Sequence, residues 1–413
     1  MKQAKNMLLL LLSLALVLAA CSGGSSESTS SPGGSPSASP GGSPAVSESP
    51  APEPSGGVIK IGALYNLTGG QASLDVPSLA GLQLAAEEIN ASGGIGGKPI
   101  EVVSVDAKTD TTAAINGMQE LIDVHKVVAV AGFSDTTFVT AAGPVAQSAG
   151  VPFVTSGATS PLIPELVGDY MFMAAFGDDA QSYAISDYAM DKLNAKTAWI
   201  LTDTSSDFTN NVSVFFKERF TGKGGQIFLE DKYDGATDND FSAQITRLQS
   251  LNPQPDILMV SALPDKAGIV VKQIRDKGID IPIVSADGFD TPALIEMGGV
   301  PQTNNVFFAT HVALESSDPL VSDFAAAYTA KTGHAPENAF AALGYDALKL
   351  IADAIARAGS EDPAAIRDAL AETKGFKAVT GEISFETSRV PKKSVTIIRV
   401  QDGKFEFADQ LTP

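Results

Sequence analysis

Two short polar segments carry the residue types that could bind a small molecule. Ser134-Asp135-Thr136-Thr137 follows a segment rich in β-branched residues at 127–131, and a Ser-Gly-Ala-Thr segment at 156–159 follows the mainly apolar residues 151–155. Both apolar segments are typical of strands buried on two faces, and a helix is predicted between them, up to Ala149. In an open α/β sheet, ligands bind beyond the carboxyl ends of neighbouring parallel strands. The two polar segments therefore predict a polar binding site, and a generic βαβ unit with polar loop ends is the alternative.

The position of Thr136 favours one kind of ligand group. It is predicted to lie near a helix N-terminus, where unpaired N–H groups and the helix dipole favour an anion such as a carboxylate. Asp135 is the neighbouring residue, and an ionised acid there would oppose a ligand carboxylate unless it points away. A ligand without a carboxylate therefore stays open as an alternative.

The sequence contains little that could perform catalysis. His125, His311 and His334 are far apart and have neither the spacing of metal ligands nor that of a catalytic triad, and no GxSxG motif occurs. The glycine-rich segment at 93–99 lacks the Ser or Thr of a phosphate-binding loop and follows a helix, so it is interpreted as a turn. We therefore expect a binding protein that is not an enzyme and has no metal or cofactor.

Length and charge limit the class of protein further. A chain of 413 residues is too long for one ordinary core, so two or more domains are expected. The formal net charge of −20 argues against nucleic acid and anionic membrane surfaces as partners.

The N-terminal segment is typical of an exported lipoprotein. Lys2 and Lys5 precede an apolar stretch, Met7 to Leu18, that is too short for a comfortable membrane span. Leu18-Ala19-Ala20-Cys21 resembles a bacterial lipobox, which implies a signal peptide at 1–20 and a lipid on Cys21. Residues 21–57, rich in Ser, Gly and Pro, are predicted to be a disordered linker. We expect an extracytoplasmic protein that contacts the membrane only through this anchor.

From Val58 onward, predicted strands and helices alternate, which indicates an α/β fold with mostly parallel sheets. The last strands are predicted at 383–385 and 395–400. The segment INASGGIGGKPIEVV at 89–103, together with residues 127–159, resembles the type I periplasmic binding proteins of ABC importers, of the leucine/isoleucine/valine-binding kind. This resemblance implies two Rossmann-like lobes joined by a hinge of three chain crossings, a Venus-flytrap arrangement. It places lobe one at 58–176 and 309–385, and lobe two at 177–308 and 386–413.

The resemblance also implies polar ligand contacts. Thr136 aligns with a hydroxyl that meets the ligand carboxylate, Gly157 with a backbone carbonyl that accepts from the ammonium, and Thr159 with a hydroxyl and N–H that hold the ligand. Asp287 aligns with a lobe-two acid that pairs with the ammonium.

The remaining implied contacts are apolar. Phe208 replaces a tyrosine that closes over the ligand from lobe two, and Phe340 aligns with an aromatic wall. Leu74 and Leu263 stand where related receptors often have tyrosines, so the pocket is expected to be more apolar or wider.

The function implied by the resemblance is capture of an amino acid, branched-chain or related, by hinge closure and its delivery to an ABC permease in the membrane. The protein is expected to be a monomer. Two alternatives remain: a sensory module for a separate receptor, and a receptor for a different small polar solute such as an amine or amide.

Overall fold

A computed structural model describes residues 57–386 and 388–412. The predicted signal peptide, Cys21 and nearly all of the predicted linker lie outside the described residues. Within the described ranges, no helix has both the length and the apolar character needed to cross a bilayer.

The first lobe contains a five-stranded parallel sheet with the strand order β2-β1-β3-β4-β5. Its strands are β1 Ile59–Tyr65, β2 Ile100–Asp106, β3 Ala129–Gly132, β4 Phe153–Thr155 and β5 Met171–Met173. The helices between them are α1 Ala72–Ala91, α2 Thr111–Asp123, α3 Thr136–Ala149 and α4 Ile163–Val167. Because the strands are parallel, the turns before α1 and α3 lie at one edge of the sheet.

The second lobe contains a seven-stranded sheet with the order β12-β11-β10-β9-β8-β6-β7, in which β11 and β12 are antiparallel to their neighbours. Its strands are β6 Thr197–Asp203, β7 Gln226–Tyr233, β8 Ile257–Ser261, β9 Ile283–Ser285, β10 Val306–Thr310, β11 Val395–Gln401 and β12 Lys404–Leu411. Its helices are α5 Asp178–Asp191, α6 Asp207–Gly222, α7 Ser242–Gln249, α8 Pro264–Asp276 and α9 Ala293–Gly298.

Three later helices return to the first lobe. They are α10 Pro319–Thr332, α11 Ala339–Ala358 and α12 Pro363–Ala371. Helix α11 packs directly on α1: a Cβ at Gly81 would lie 1.9 Å from the Ala341 carbonyl oxygen, and one at Gly344 would lie 1.9 Å from the Ser78 carbonyl oxygen. Only glycine permits such close contact of two helix backbones. The first lobe is therefore built from two distant parts of the chain.

The chain passes between the two sheets three times: after β5, after β10 and before β11. These observations confirm the predicted fold class, an α/β protein with two lobes. The residue numbers given above for the lobe boundaries remain a prediction.

Two details of the sequence prediction were wrong. Residues 383–385 do not form a strand, because Ile383 makes only an isolated bridge to Phe376. Ile383 is buried because it packs against the core of the first lobe, and not because it pairs in a sheet. The sequence pattern also predicts a helix from about Ser78 to Ala91, but helix α1 begins earlier, at Ala72, and contains Pro77.

Candidate functional site

A narrow cavity, with a volume of about 10 Å³, lies between the two lobes. Its polar lining residues are Gln71, Ser134, Asp135 and Asp287, and its other lining residues are Leu74, Phe208, Leu263, Pro264, Gly288 and Phe340. Each lobe contributes one carboxylate and several apolar side chains. A solute in this cavity would contact both lobes at once.

Asp135 provides the carboxylate of the first lobe. It is the N-cap of α3, and its Oδ1 accepts a hydrogen bond of 2.8 Å from the backbone N–H of Thr137. Its Oδ2 accepts from the hydroxyl of Ser206 in the second lobe at 3.0 Å and from Nε2 of Gln71 at 3.4 Å. Burial raises the pKa of Asp135 above its ordinary value. This carboxylate therefore faces the cleft and also links the two lobes.

Asp287 provides the carboxylate of the second lobe, in a 3₁₀ turn that follows β9. Its Oδ2 lies 2.9 Å from Nε2 of His311, and its backbone N–H donates to Oε1 of Gln181 at 3.1 Å. Burial raises the pKa of Asp287 to about 7.

His311 is the buried partner of Asp287. Its ring stacks on Phe176 with the centroids 4.0 Å apart. Burial, with help from the charge of Lys393, holds the pKa of His311 well below its ordinary value. The imidazole is therefore neutral near pH 7. Because an ionised Asp287 carboxylate can only accept, we assign the tautomer whose Nε2–H donates to it.

Aromatic rings form the apolar walls. Phe208 lies in the first turn of α6, where its N–H donates to the capping hydroxyl of Ser206 at 3.1 Å. Phe340 lies in the first turn of α11, where its N–H donates to Oδ1 of Asn338 at 3.1 Å. Because both helices are capped beside the cavity, the two rings are fixed at its edge. Their positions suit the apolar part of a ligand.

Further hydrogen bonds join the lobes around the cavity. Nε2 of Gln181 donates to the hydroxyl of Thr159 at 3.4 Å, and Nδ2 of Asn211 donates to the hydroxyl of Ser160 at 3.2 Å. The N–H of Ala339 donates to Oδ2 of Asp290 at 3.1 Å. In the described parts of the chain, no group of three His, Cys, Asp or Glu side chains is arranged to hold a metal ion.

Comparison with known proteins identifies the family. A sequence profile of the family described as periplasmic binding protein matches residues 58–404. The chain belongs to this family. An amino acid binding protein of Pseudomonas aeruginosa is 26% identical over 355 residues, which are 84% of this chain and 91% of the relative. Such relatives are binding proteins and not enzymes, and the periplasmic binding protein family is extracytoplasmic.

Two solved structures show what related periplasmic binding proteins hold. One is LivJ of Streptococcus pneumoniae, a branched-chain amino acid transporter substrate binding protein in complex with isoleucine. It is 34% identical to this chain, the TM-score is 0.81, and the match covers 86% of this chain and 100% of that chain. An ABC transporter solute binding protein of Rhodopseudomonas palustris, in complex with 3,4-dihydroxybenzoic acid, is 27% identical, with a TM-score of 0.76 and coverage of 86% and 97%. This chain is a periplasmic solute-binding protein of the ABC transporter type. Because the two relatives hold unlike ligands, membership of the family does not determine the ligand.

Five of the eight predicted ligand-binding residues line the cavity: Leu74, Phe208, Leu263, Asp287 and Phe340. The other three, Thr136, Gly157 and Thr159, are not among its lining residues. The Thr136 hydroxyl accepts from the N–H of Ser160 at 3.3 Å, and the Thr159 hydroxyl accepts from Gln181. A Cβ at Gly157 would lie 2.6 Å from the Phe340 ring, so Gly157 leaves room for that ring. The ligand contacts predicted for all eight residues remain predictions.

Sequence reasoning did not assign Gln71, Ser134, Asp135 or His311 to the site. Ser134 and Asp135 were in the polar segment after β3, but alignment to the family favoured Thr136 instead. His311 directly follows the buried strand β10. A polar residue at the carboxyl end of a buried strand is a signal in the sequence that could have placed His311 near the site. Its pairing with Asp287 depends on the relative position of β9 and β10, which the sequence does not specify.

Proposed function

We propose that this protein captures an amino acid, branched-chain or related, outside the cytoplasm and delivers it to an ABC permease in the membrane. The observation that carries this proposal is one cavity with a carboxylate from each lobe, Asp135 and Asp287, beside apolar walls. A ligand that contacts both lobes binds the closed state more tightly, so binding shifts the hinge equilibrium toward closure.

In the proposed complex, Asp287 pairs with the ligand ammonium, and the apolar side chain of the ligand contacts Phe208, Phe340, Leu74 and Leu263. The first lobe supports these contacts through Thr136, Gly157 and Thr159. Asp287 suits its role because it is buried, and an ammonium ion would stabilise its ionised form.

Calorimetric titration with the twenty standard amino acids tests the proposed ligand class. We expect a binding isotherm with at least one apolar amino acid. At 100 times the dissociation constant, that ligand should raise the free energy of unfolding by about 2.7 kcal/mol. The variant Asp287→Asn should lose most of this affinity, whereas Asp323→Asn, at an exposed position on α10, should not. If none of the twenty produces heat or stabilisation, the amino-acid assignment is wrong.

We also propose that Cys21 carries a lipid that anchors a monomeric protein to the membrane. The support is the lipobox-like sequence before the single cysteine of the chain. Expressed in a bacterium, the full chain should partition into the detergent phase of a Triton X-114 extract, and Cys21→Ser should move it to the aqueous phase. Recovery of both proteins in the aqueous phase would contradict the anchor.

A further inference from the structure

The N-terminus of α3 is already occupied by an acid of the chain. Asp135 caps this 14-residue helix, and its carboxylate accepts from the N–H of Thr137. A helix N-terminus attracts anions through its unpaired N–H groups and its dipole. When a carboxylate of the protein takes that position, it satisfies a donor and introduces repulsion toward a second carboxylate. The feature expected to bind a ligand anion is therefore unsuited to one.

Acceptors predominate on the rest of the cavity wall, where the Ser134 hydroxyl is an uncharged donor without a described partner. Asp135 and Asp287 are 4% and 2% exposed, and the described lining residues include no lysine or arginine. Gln71, which is 2% exposed, donates through Nε2 to Asp135, while no described residue donates to its buried Oε1. A buried acceptor without a partner is costly, and a ligand N–H would remove that cost.

Two buried basic groups outside the cavity lining, His311 and Lys393, do not reverse this excess of acceptors. His311 is neutral and uses its Nε2–H on Asp287. Lys393 is buried at the hinge, where its Nζ donates to the carbonyl oxygen of Ala174 at 2.8 Å and to the hydroxyl of Thr380. Neither the ammonium group of Lys393 nor the imidazole of His311 is therefore available to bind a ligand carboxylate in the cavity.

We propose that the cavity selects a cationic solute without a free carboxylate, an amine or an amino-acid amide, whose ammonium group lies between Asp135 and Asp287. Its apolar part contacts Phe208, Phe340, Leu74 and Leu263. This inference rests on the proposed function, because it takes the cavity as the ligand site. It narrows the ligand class, since a carboxylate-free cation such as an amino-acid amide is expected to bind more tightly than the corresponding zwitterionic amino acid.

The test compares four probes that share the isobutyl group of leucine. Calorimetric titrations of the purified protein at pH 7.5 would use L-leucinamide and 3-methylbutylamine as cations, L-leucine as the zwitterion and 4-methylpentanoate as the anion. At least one cation should bind at least about tenfold more tightly than L-leucine, and 4-methylpentanoate should not bind. Tighter binding of L-leucine or 4-methylpentanoate overturns this inference and leaves the proposed function standing. If none of the four probes binds, this inference is also wrong. If, in addition, none of the twenty amino acids binds, the proposed function is wrong as well.

Two variants distinguish the effect of the negative charge at the site from the effect of helix capping on ligand preference. Asp135→Ser keeps a good N-cap residue but removes the negative charge, and Asp110→Ser makes the same change at the exposed N-cap of α2. Asp135→Ser should shift the preference between leucinamide and leucine at least about tenfold toward leucine, whereas Asp110→Ser should leave it unchanged. Thermal unfolding confirms that both variants fold. An Asp135→Ser protein that folds and keeps the original preference would overturn the inference, and Asp135→Asn repeats the test if the serine variant does not fold.

Discussion

His311 is held between an aromatic ring and a carboxyl group. It stacks on Phe176 and donates to Asp287, so it joins the hinge segment after β10 to the cavity. The variant His311→Phe would preserve the stacking but leave the buried Asp287 without this donor. We expect the free energy of unfolding to fall by about 1 to 3 kcal/mol.

Urea unfolding at pH 7 measures this effect. His125→Phe is the matched control, because the His125 side chain is 34% exposed and lies 3.5 Å from the exposed Glu120. The control should change the free energy of unfolding by less than about 0.5 kcal/mol. Equal losses in the two variants would show that the His311–Asp287 contact has no special role in stability.

Asp178 makes stability depend on pH. Burial raises its pKa from 3.8 to about 8, although hydrogen bonds from Thr159, Asn211 and Gln181 oppose this rise. The folded protein therefore binds a proton at Asp178 that the unfolded chain releases near pH 4. This contribution to stability is complete below that pH and is lost as the pH rises through about 8. Without ligand, the protein should be less stable at pH 8 than at pH 5.

The variant Asp178→Asn should flatten this slope because its amide does not titrate. Urea midpoints measured from pH 5 to pH 8.5 would show a smaller decrease in the variant than in the parent protein. Asp323→Asn, at an exposed position, should keep the parent slope. Because burial raises the pKa of Asp75 and Asp287 to about 7 as well, part of the slope should remain in Asp178→Asn. An unchanged slope would mean that Asp178 is ionised in the folded state at pH 5.

At the scale of elements, the regular βαβ units could be predicted from local pattern. Helix α3 ends at Ala149 as predicted, because Gly150 adopts a left-handed conformation there with φ of 68°. Strand β12 was missed although its signal was present. Asp402-Gly403, both with positive φ, form the hairpin turn, and Phe405 and Phe407 alternate with polar residues after it.

The site could be predicted only in part. Polar segments after buried strands predicted the edge of the first sheet at which the cavity lies, because that rule depends on local sequence. The contact between Asp135 and Ser206 joins residues 71 positions apart, and the pair Asp287–His311 joins neighbouring strands of the second sheet. Such contacts depend on lobe placement and strand order. A single sequence specifies neither the placement of the lobes nor the order of the strands.

The hinge contains a buried lysine with specific partners. Lys393, in the third crossing, donates to the Ala174 carbonyl oxygen in the first crossing and to Thr380, near the buried Asp346 carboxyl. Burial lowers its pKa to about 8. The variant Lys393→Met would leave these acceptors without a donor and remove the charge that stabilises ionised Asp346. The free energy of unfolding should fall by about 1 to 3 kcal/mol.

Lys392→Met is the matched control, since the neighbouring Lys392 is exposed. Its effect, measured by urea unfolding at pH 7, should stay below about 0.5 kcal/mol. If the two variants lose equal stability, the loss comes from the local backbone and not from the buried ammonium group.

At the scale of the whole molecule, Gly70 of the first lobe faces Asp265 of the second. A Cβ at Gly70 would lie 3.4 Å from the Asp265 carboxyl carbon, so the two Cβ atoms would be within reach of a disulfide. The double variant Gly70→Cys/Asp265→Cys, made with Cys21→Ser so that no other thiol is present, should form a disulfide when the lobes are closed. A ligand that promotes closure should accelerate its formation, as measured by non-reducing electrophoresis over time.

The control pair is Gly70→Cys with Lys272→Cys, an exposed position two turns further along α8. That position lies about 10 Å beyond Asp265, outside disulfide range in the closed form. Once cross-linked with ligand inside, the Gly70–Asp265 pair should release it much more slowly, and reduction should restore fast release. If ligand changes neither pair's rate, or if the cross-linked protein still exchanges ligand freely, the cavity does not require lobe opening, and hinge closure is not how this protein captures its solute.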